Sequence, residues 1–99
     1  MAEAQEVDAE FNERADSYID LANQQASVFG RAKVSASFMF ALSRFNAWVS
    51  ACGFENSGQM QTSRQEAIDY FVAQYRSMLE QNIDDYIANF SKYMQSSNA

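Results

Sequence analysis

The sequence predicts an all-α protein: an antiparallel helical hairpin followed by one long C-terminal helix, forming a three-helix bundle that dimerises. Three observations carry this expectation. The 99 residues include no proline and only three glycines, leaving few of the tight turns that an all-β fold requires. Large apolar residues recur at steps of three and four over three stretches, the period of a helix with one buried face. The last stretch is too long for a domain of this size, which points to a second chain or a bend. Ninety-nine residues make one domain, placed at 8–94, with residues 1–7 and 95–99 as disordered tails.

The first helix is expected over 8–29. Asp8 can cap it, and Glu10 and Glu13 lie near its positive end. Phe11, Ala15, Tyr18, Ala22 and Ala26 form its apolar stripe, with Ile19 beside them, and Gly30 is the permissive stop. The second helix, 31–52, contains Val34, Phe38, Leu42, Phe45 and Val49 at helical spacing, widened by Phe40 and Trp48. Its other faces hold Ala, Ser and Met and no acid, so it is expected in the centre of the fold. A link as short as Gly30 to Lys33 makes the two helices an antiparallel pair.

Residues 1–30 carry seven acids and one base, whereas residues 31–53 carry Arg31, Lys33 and Arg44 and no acid. Opposite signs favour the hairpin. Arg44, inside so apolar a helix, calls for a partner, and Asp16 or Asp20 is expected to form a structural ion pair with it.

Gly53 to Gln61 is loop-like, with Asn56-Ser57-Gly58 as its turn signal. The third helix starts at 57, or at 62 where Thr62 and Gln65 match a capping box, and runs to 94. Its stripe reads Ile68, Val72, Tyr75, Leu79, Ile83, Tyr86, Phe90, Met94. From 62 to 94 such a helix is about 50 Å long, against a full width of roughly 35 Å for a compact domain of this length. Either it bends, most readily at Asn82-Ile83-Asp84-Asp85 where poor helix formers cluster, or its far end packs on a second copy of the chain. Pairing the tails of two chains buries the second half of the stripe, so Leu79, Ile83, Tyr86, Phe90 and Met94 are the expected dimer interface.

The chemistry excludes more than it offers. With no histidine, Ser-His-Asp and Cys-His catalysis and the usual zinc sites are ruled out. Cys52 has no cysteine partner and is expected to be a buried, inert thiol in a reducing compartment, the cytoplasm. Asp16 with Asp20, and Glu80 with Asp84, share helix faces, but such pairs are usually solvated and no calcium loop accompanies them. Gly53 and Gly58 lack the ending of a phosphate loop. No catalytic residue, cofactor or metal site is therefore assigned. A net charge of −6 and a pI near 4.4 disfavour nucleic acid and anionic membranes as partners. Arg44 and Asn46 near the middle of the second helix argue against a membrane span.

A tryptophan near the midpoint of a small helical chain invites comparison with secreted WXG hairpins, but Trp48 is followed by Val49-Ser50 rather than by one residue and glycine. The stretches RADSYIDLAN, GRAKVSASFMFALSRFNAWVSA and EAIDYFVAQYRSMLEQNIDDYIANFSKYM, covering most of the chain from Phe11 to Met94, resemble a family of short bacterial proteins, the domain of unknown function DUF3144. The resemblance implies an all-helical protein from a bacterium, in all expectation a proteobacterium, and it brings no catalytic residue with it. The expected function is a non-enzymatic helical module for protein–protein interaction, acting as a homodimer that can present a surface to a further protein. The alternative is a carrier of an apolar small ligand, held in a Phe/Met-rich pocket between helices drawn from Phe38, Met39, Phe40, Phe45, Trp48, Met60, Met78 and Met94.

Overall fold

The computed structural model describes residues 8–97, and the expected N-terminal tail lies outside them. The described residues form five helices and no strand: α1 Phe11–Phe29, α2 Arg31–Ala51, α3 Ser57–Thr62, α4 Arg64–Ala88 and α5 Phe90–Ser97. The chain divides into two units, residues 1–47 and 48–99, with α2 running from one into the other.

Asp8 does hold the start of α1, although the helix begins three residues later than expected. Its carboxylate accepts the Glu10 backbone N–H at 3.0 Å and its carbonyl accepts that of Phe11 at 3.1 Å. This is an aspartate turn leading into the helix rather than a cap on it. A single residue then separates α1 from α2. The Gly30 N–H closes α1 on the Ala26 carbonyl at 2.9 Å, while the Gly30 carbonyl accepts the Val34 N–H at 3.2 Å. Ending one helix and opening the next within one residue needs φ +92° and ψ 146°, a combination that only glycine adopts without strain.

The expectation that α2 sits buried in the centre is corrected. Among the described residues only Val34 is buried, and Phe38, Phe40, Leu42, Phe45 and Trp48 are all exposed. The physical reason is coverage: α1 covers α2 only beside the link, at Val34, and the apolar composition of the rest of α2 marks a demand for burial that this neighbour does not meet. Cys52 is likewise exposed, because it lies past the last residue of α2, in the turn closed by the Cys52 N–H on the Trp48 carbonyl.

The third predicted helix is three helices. Asn56, extended at φ −157°, caps α3 by accepting the Gln59 N–H at 2.9 Å, and the Gln59 side chain accepts the Glu55 N–H at 2.8 Å. The expected box at Thr62 and Gln65 is not formed: Thr62 donates its hydroxyl to the Gly58 carbonyl, and Gln65 bonds Asp69. The chain leaves helical geometry at Ser63 and resumes in α4. Helix α4 passes unbroken through the Asn82–Asp85 segment and stops at Asn89. There the side-chain amide of Asn89 donates to both the carbonyl and the carboxylate of Asp85, a local bond that competes with continuation of the helix. Helix α5 continues to Ser97, three residues past the expected end.

Candidate functional site

The first unit contains an apolar groove between α1 and α2 of about 290 Å³. Tyr18, Leu21, Ala22 and Gln25 form one wall, and Val34, Ser37, Phe38 and Ala41 the other. The walls draw on residues placed almost symmetrically about Gly30. Ala22, Ser37 and Ala41 are short, so the space between the helices stays open rather than filled by side chains. The lining holds Phe38 but no methionine, and Met39 and Phe40 are exposed. Lys33 lies four residues before Ser37, and Arg44 three after Ala41. Lys33 directly precedes Val34, and both bases therefore stand on one edge of the α2 wall, Lys33 beside its first residue and Arg44 one turn past its last.

The expected dimer-interface residues are uncovered. Leu79, Ile83, Tyr86 and Phe90 are 41%, 50%, 50% and 61% exposed, and Met94 is half-buried. The interruption at Asn89 divides this stripe, bringing the Tyr93 ring against Tyr86 with centroids 4.6 Å apart and its hydroxyl to Asp85, to which it donates at 2.9 Å. That bond is the main reason the Tyr93 phenol is held above its ordinary value, since ionisation would place two negative charges together.

The Arg44 ion pair is corrected too. Arg44, Asp16 and Asp20 are all exposed, and the ion pairs among the described residues are Arg14–Asp8 at 2.8 Å and Arg76–Glu80 at 3.4 Å. An exposed guanidinium keeps its hydration, so nothing compels it to take a carboxylate. Among the described residues no three acids or cysteines are grouped closely enough to hold a metal ion, and no helix is long and apolar enough to cross a membrane.

The pair that sequence reasoning missed is Arg14 with Asp8, a two-pronged bond of 2.8 and 3.1 Å. The Arg14 guanidinium, through those bonds first, holds the Asp8 carboxyl below its ordinary value of 3.8. A lowered folded-state value means the contribution is present above pH 3.8 and lost as pH falls through the lowered value. The turn before α1 is accordingly expected to open below pH 3.8, seen as a shift of the Glu10 and Phe11 amide resonances in an acid titration. Arg14→Ala should move that midpoint upward, because the largest lowering contribution is lost.

No match is found among curated proteins. Among solved structures, the chain is similar to the NMR structure of the protein NB7890A from Shewanella sp, with 43% sequence identity and a TM-score of 0.73 over 91% of this chain and 96% of that one. This likeness supports the all-helical fold. The model of the family described as "Protein of unknown function (DUF3144)" matches residues 11–87, so the KVSAS and RFNA segments of α2 and nearly all of α4 fall inside it, and the chain belongs to that family.

Proposed function

We propose that the protein is a non-enzymatic helical interaction module that acts as a homodimer in the bacterial cytoplasm. In this reading α1 and α2 form an antiparallel hairpin, and Leu79, Ile83, Tyr86, Phe90 and Met94 form the contact with the second chain. The observation that supports it is the exposure of large apolar side chains along α2 and along the continuous stripe of α4, with Val34 alone buried among the described residues. Soluble monomers seldom leave patches of that extent in water, and a second copy is always present at the same concentration. The dimer in turn offers a surface to a further protein. Light scattering at micromolar concentration tests this. A mass of about 22 kDa, twice the 11.2 kDa of one chain, is expected, and a mass of one chain overturns it.

The second reading, a carrier of an apolar small ligand, draws on the α1–α2 groove, whose volume of about 290 Å³ falls at the lower end of the range for ligand pockets. A reproducible rise in melting temperature with one member of a fatty-acid panel, on a protein of single-chain mass, would favour the carrier over the dimer.

A further inference from the structure

The groove and the first half of α4 complement each other in three respects. The first is charge. Helix α2 carries Arg31, Lys33 and Arg44 and no acid, a net of +3; α4 carries five acids against two bases, a net of −3. The second is spacing. Lys33, beside the first residue of the groove wall, and Arg44, one turn past its last, are eleven residues apart, about 16 Å along the helix. On α4, Asp69 and Glu80 are also eleven residues apart, and eleven residues is three helical turns, so each pair stays on one edge of its helix. The third is apolar surface. Ile68, Val72, Tyr75 and Leu79 run alongside Asp69 and Glu80 and are 39%, 59%, 41% and 41% exposed, while the groove offers Ala22 on one wall and Val34 and Ala41 on the other.

We infer that the α1–α2 groove is the docking site for α4 of a second copy of this chain, Ile68 to Leu79 lying in the groove with Asp69 and Glu80 against Lys33 and Arg44. The exchange is mutual. Each chain gives its α4 and receives its partner's, so one two-fold arrangement covers both groove and helix twice and leaves no open end. A single carboxylate on an apolar chain would engage one end of the groove, whereas bases at both ends match an occupant with two acids at this separation. The acids are available for it: Asp69 is held only by the Gln65 amide, and Glu80 only by Arg76 at 3.4 Å, each across one exposed helical turn. This inference rests on the homodimer reading and specifies what the first half of α4 meets; the tail from Leu79 onward keeps the role given above.

The test is a charge swap between the two surfaces, read by analytical ultracentrifugation at low salt. Lys33→Glu/Arg44→Glu and Asp69→Lys/Glu80→Lys are each expected to weaken the dimer about tenfold or more, because like charges then face each other, with the loss reduced as salt screens it. An equimolar mixture of the two variants is expected to restore the wild-type dimer constant, because every docked pair in the mixed dimer is again of opposite sign. Circular dichroism on each variant shows that the helices are intact. A wild-type dimer unaffected by Lys33→Glu/Arg44→Glu overturns the groove assignment while leaving the homodimer standing. Two weakened variants that fail to rescue each other in the mixture overturn exchange, since docking within one chain gives that result. A wild type of single-chain mass overturns both readings, and a mixture stabilised only by a fatty acid assigns the groove to a small ligand instead.

Discussion

Replacing Tyr86 and Phe90 together by aspartate is expected to convert the protein from a dimer of about 22 kDa to single chains of 11.2 kDa with the helices up to Ala88 intact, while α5, whose Tyr93 ring packs on Tyr86, is released. Each aromatic side chain buried at such an interface contributes about 1.5–3 kcal/mol, and a two-fold interface contains each of them twice. The smallest sum, about 6 kcal/mol, is roughly four powers of ten in the dissociation constant, enough to carry a micromolar sample wholly to monomer. Aspartate within or beside a helix costs only about 0.7 kcal/mol in propensity, and both positions are exposed in the single chain. Circular dichroism should therefore lose no more than the signal of the eight residues of α5 while the scattered mass halves. An unchanged mass would remove the tail from the interface.

The second large effect is expected at Gly30. Nothing lies within 4 Å of the position a Cβ would take there, so Gly30→Ala meets no steric clash and isolates the backbone cost of a side chain at φ +92°. That cost is about 1–3 kcal/mol, a sizeable share of the stability of a domain this small. Gly53→Ala is the matching control. Its added Cβ would sit 3.5 Å from the Ser50 carbonyl, an ordinary contact, and its φ is unremarkable, so a change within about 0.5 kcal/mol is expected. Urea melts of the two variants side by side check both values. Equal midpoints would mean that α1 and α2 can be joined without the geometry that Gly30 adopts.

What could be read from the residues, and what could not, divides along the range of the forces involved. Gly30 was legible because the stripe of α1 stops at Ala26 and a new one begins at Val34, with a permissive residue between. The start of α3 was half legible: Asn56-Ser57-Gly58 announces a turn, yet Asn56 with Gln59 forms the capping pair while Thr62 with Gln65, an equally good match, does not. The two boxes compete for overlapping turns, and only geometry chooses. The stop at Asn89 left no mark in the hydrophobic pattern, since Tyr86, Phe90 and Met94 stay in phase across it; it is made by one amide folding back on Asp85. The groove escaped notice for a related reason. Periodicity finds large apolar residues, whereas a groove is made where Ala22, Ser37 and Ala41 are small. Arg44 was drawn to Asp16 and Asp20 by the assumption that α2 is buried. An apolar helix surface states that it needs cover but not which molecule provides it.

The break at Asn89 also decides how the end of the chain comes apart. An unbroken helix frays residue by residue from its free end. Helix α5, eight residues long, is too short to persist alone in water, so its order depends on the Tyr93 hydroxyl and ring, both fastened to the last turns of α4. Loss of the Tyr93 contacts loosens the segment as a unit, and Asn89, already bonded backward to Asp85, remains with α4 as a finished end. The chain thus closes with a discrete latch rather than a tapering tail: amide exchange along residues 90–97 should be a single step, set by Tyr93, with slower exchange beginning abruptly on the N-terminal side of Asn89.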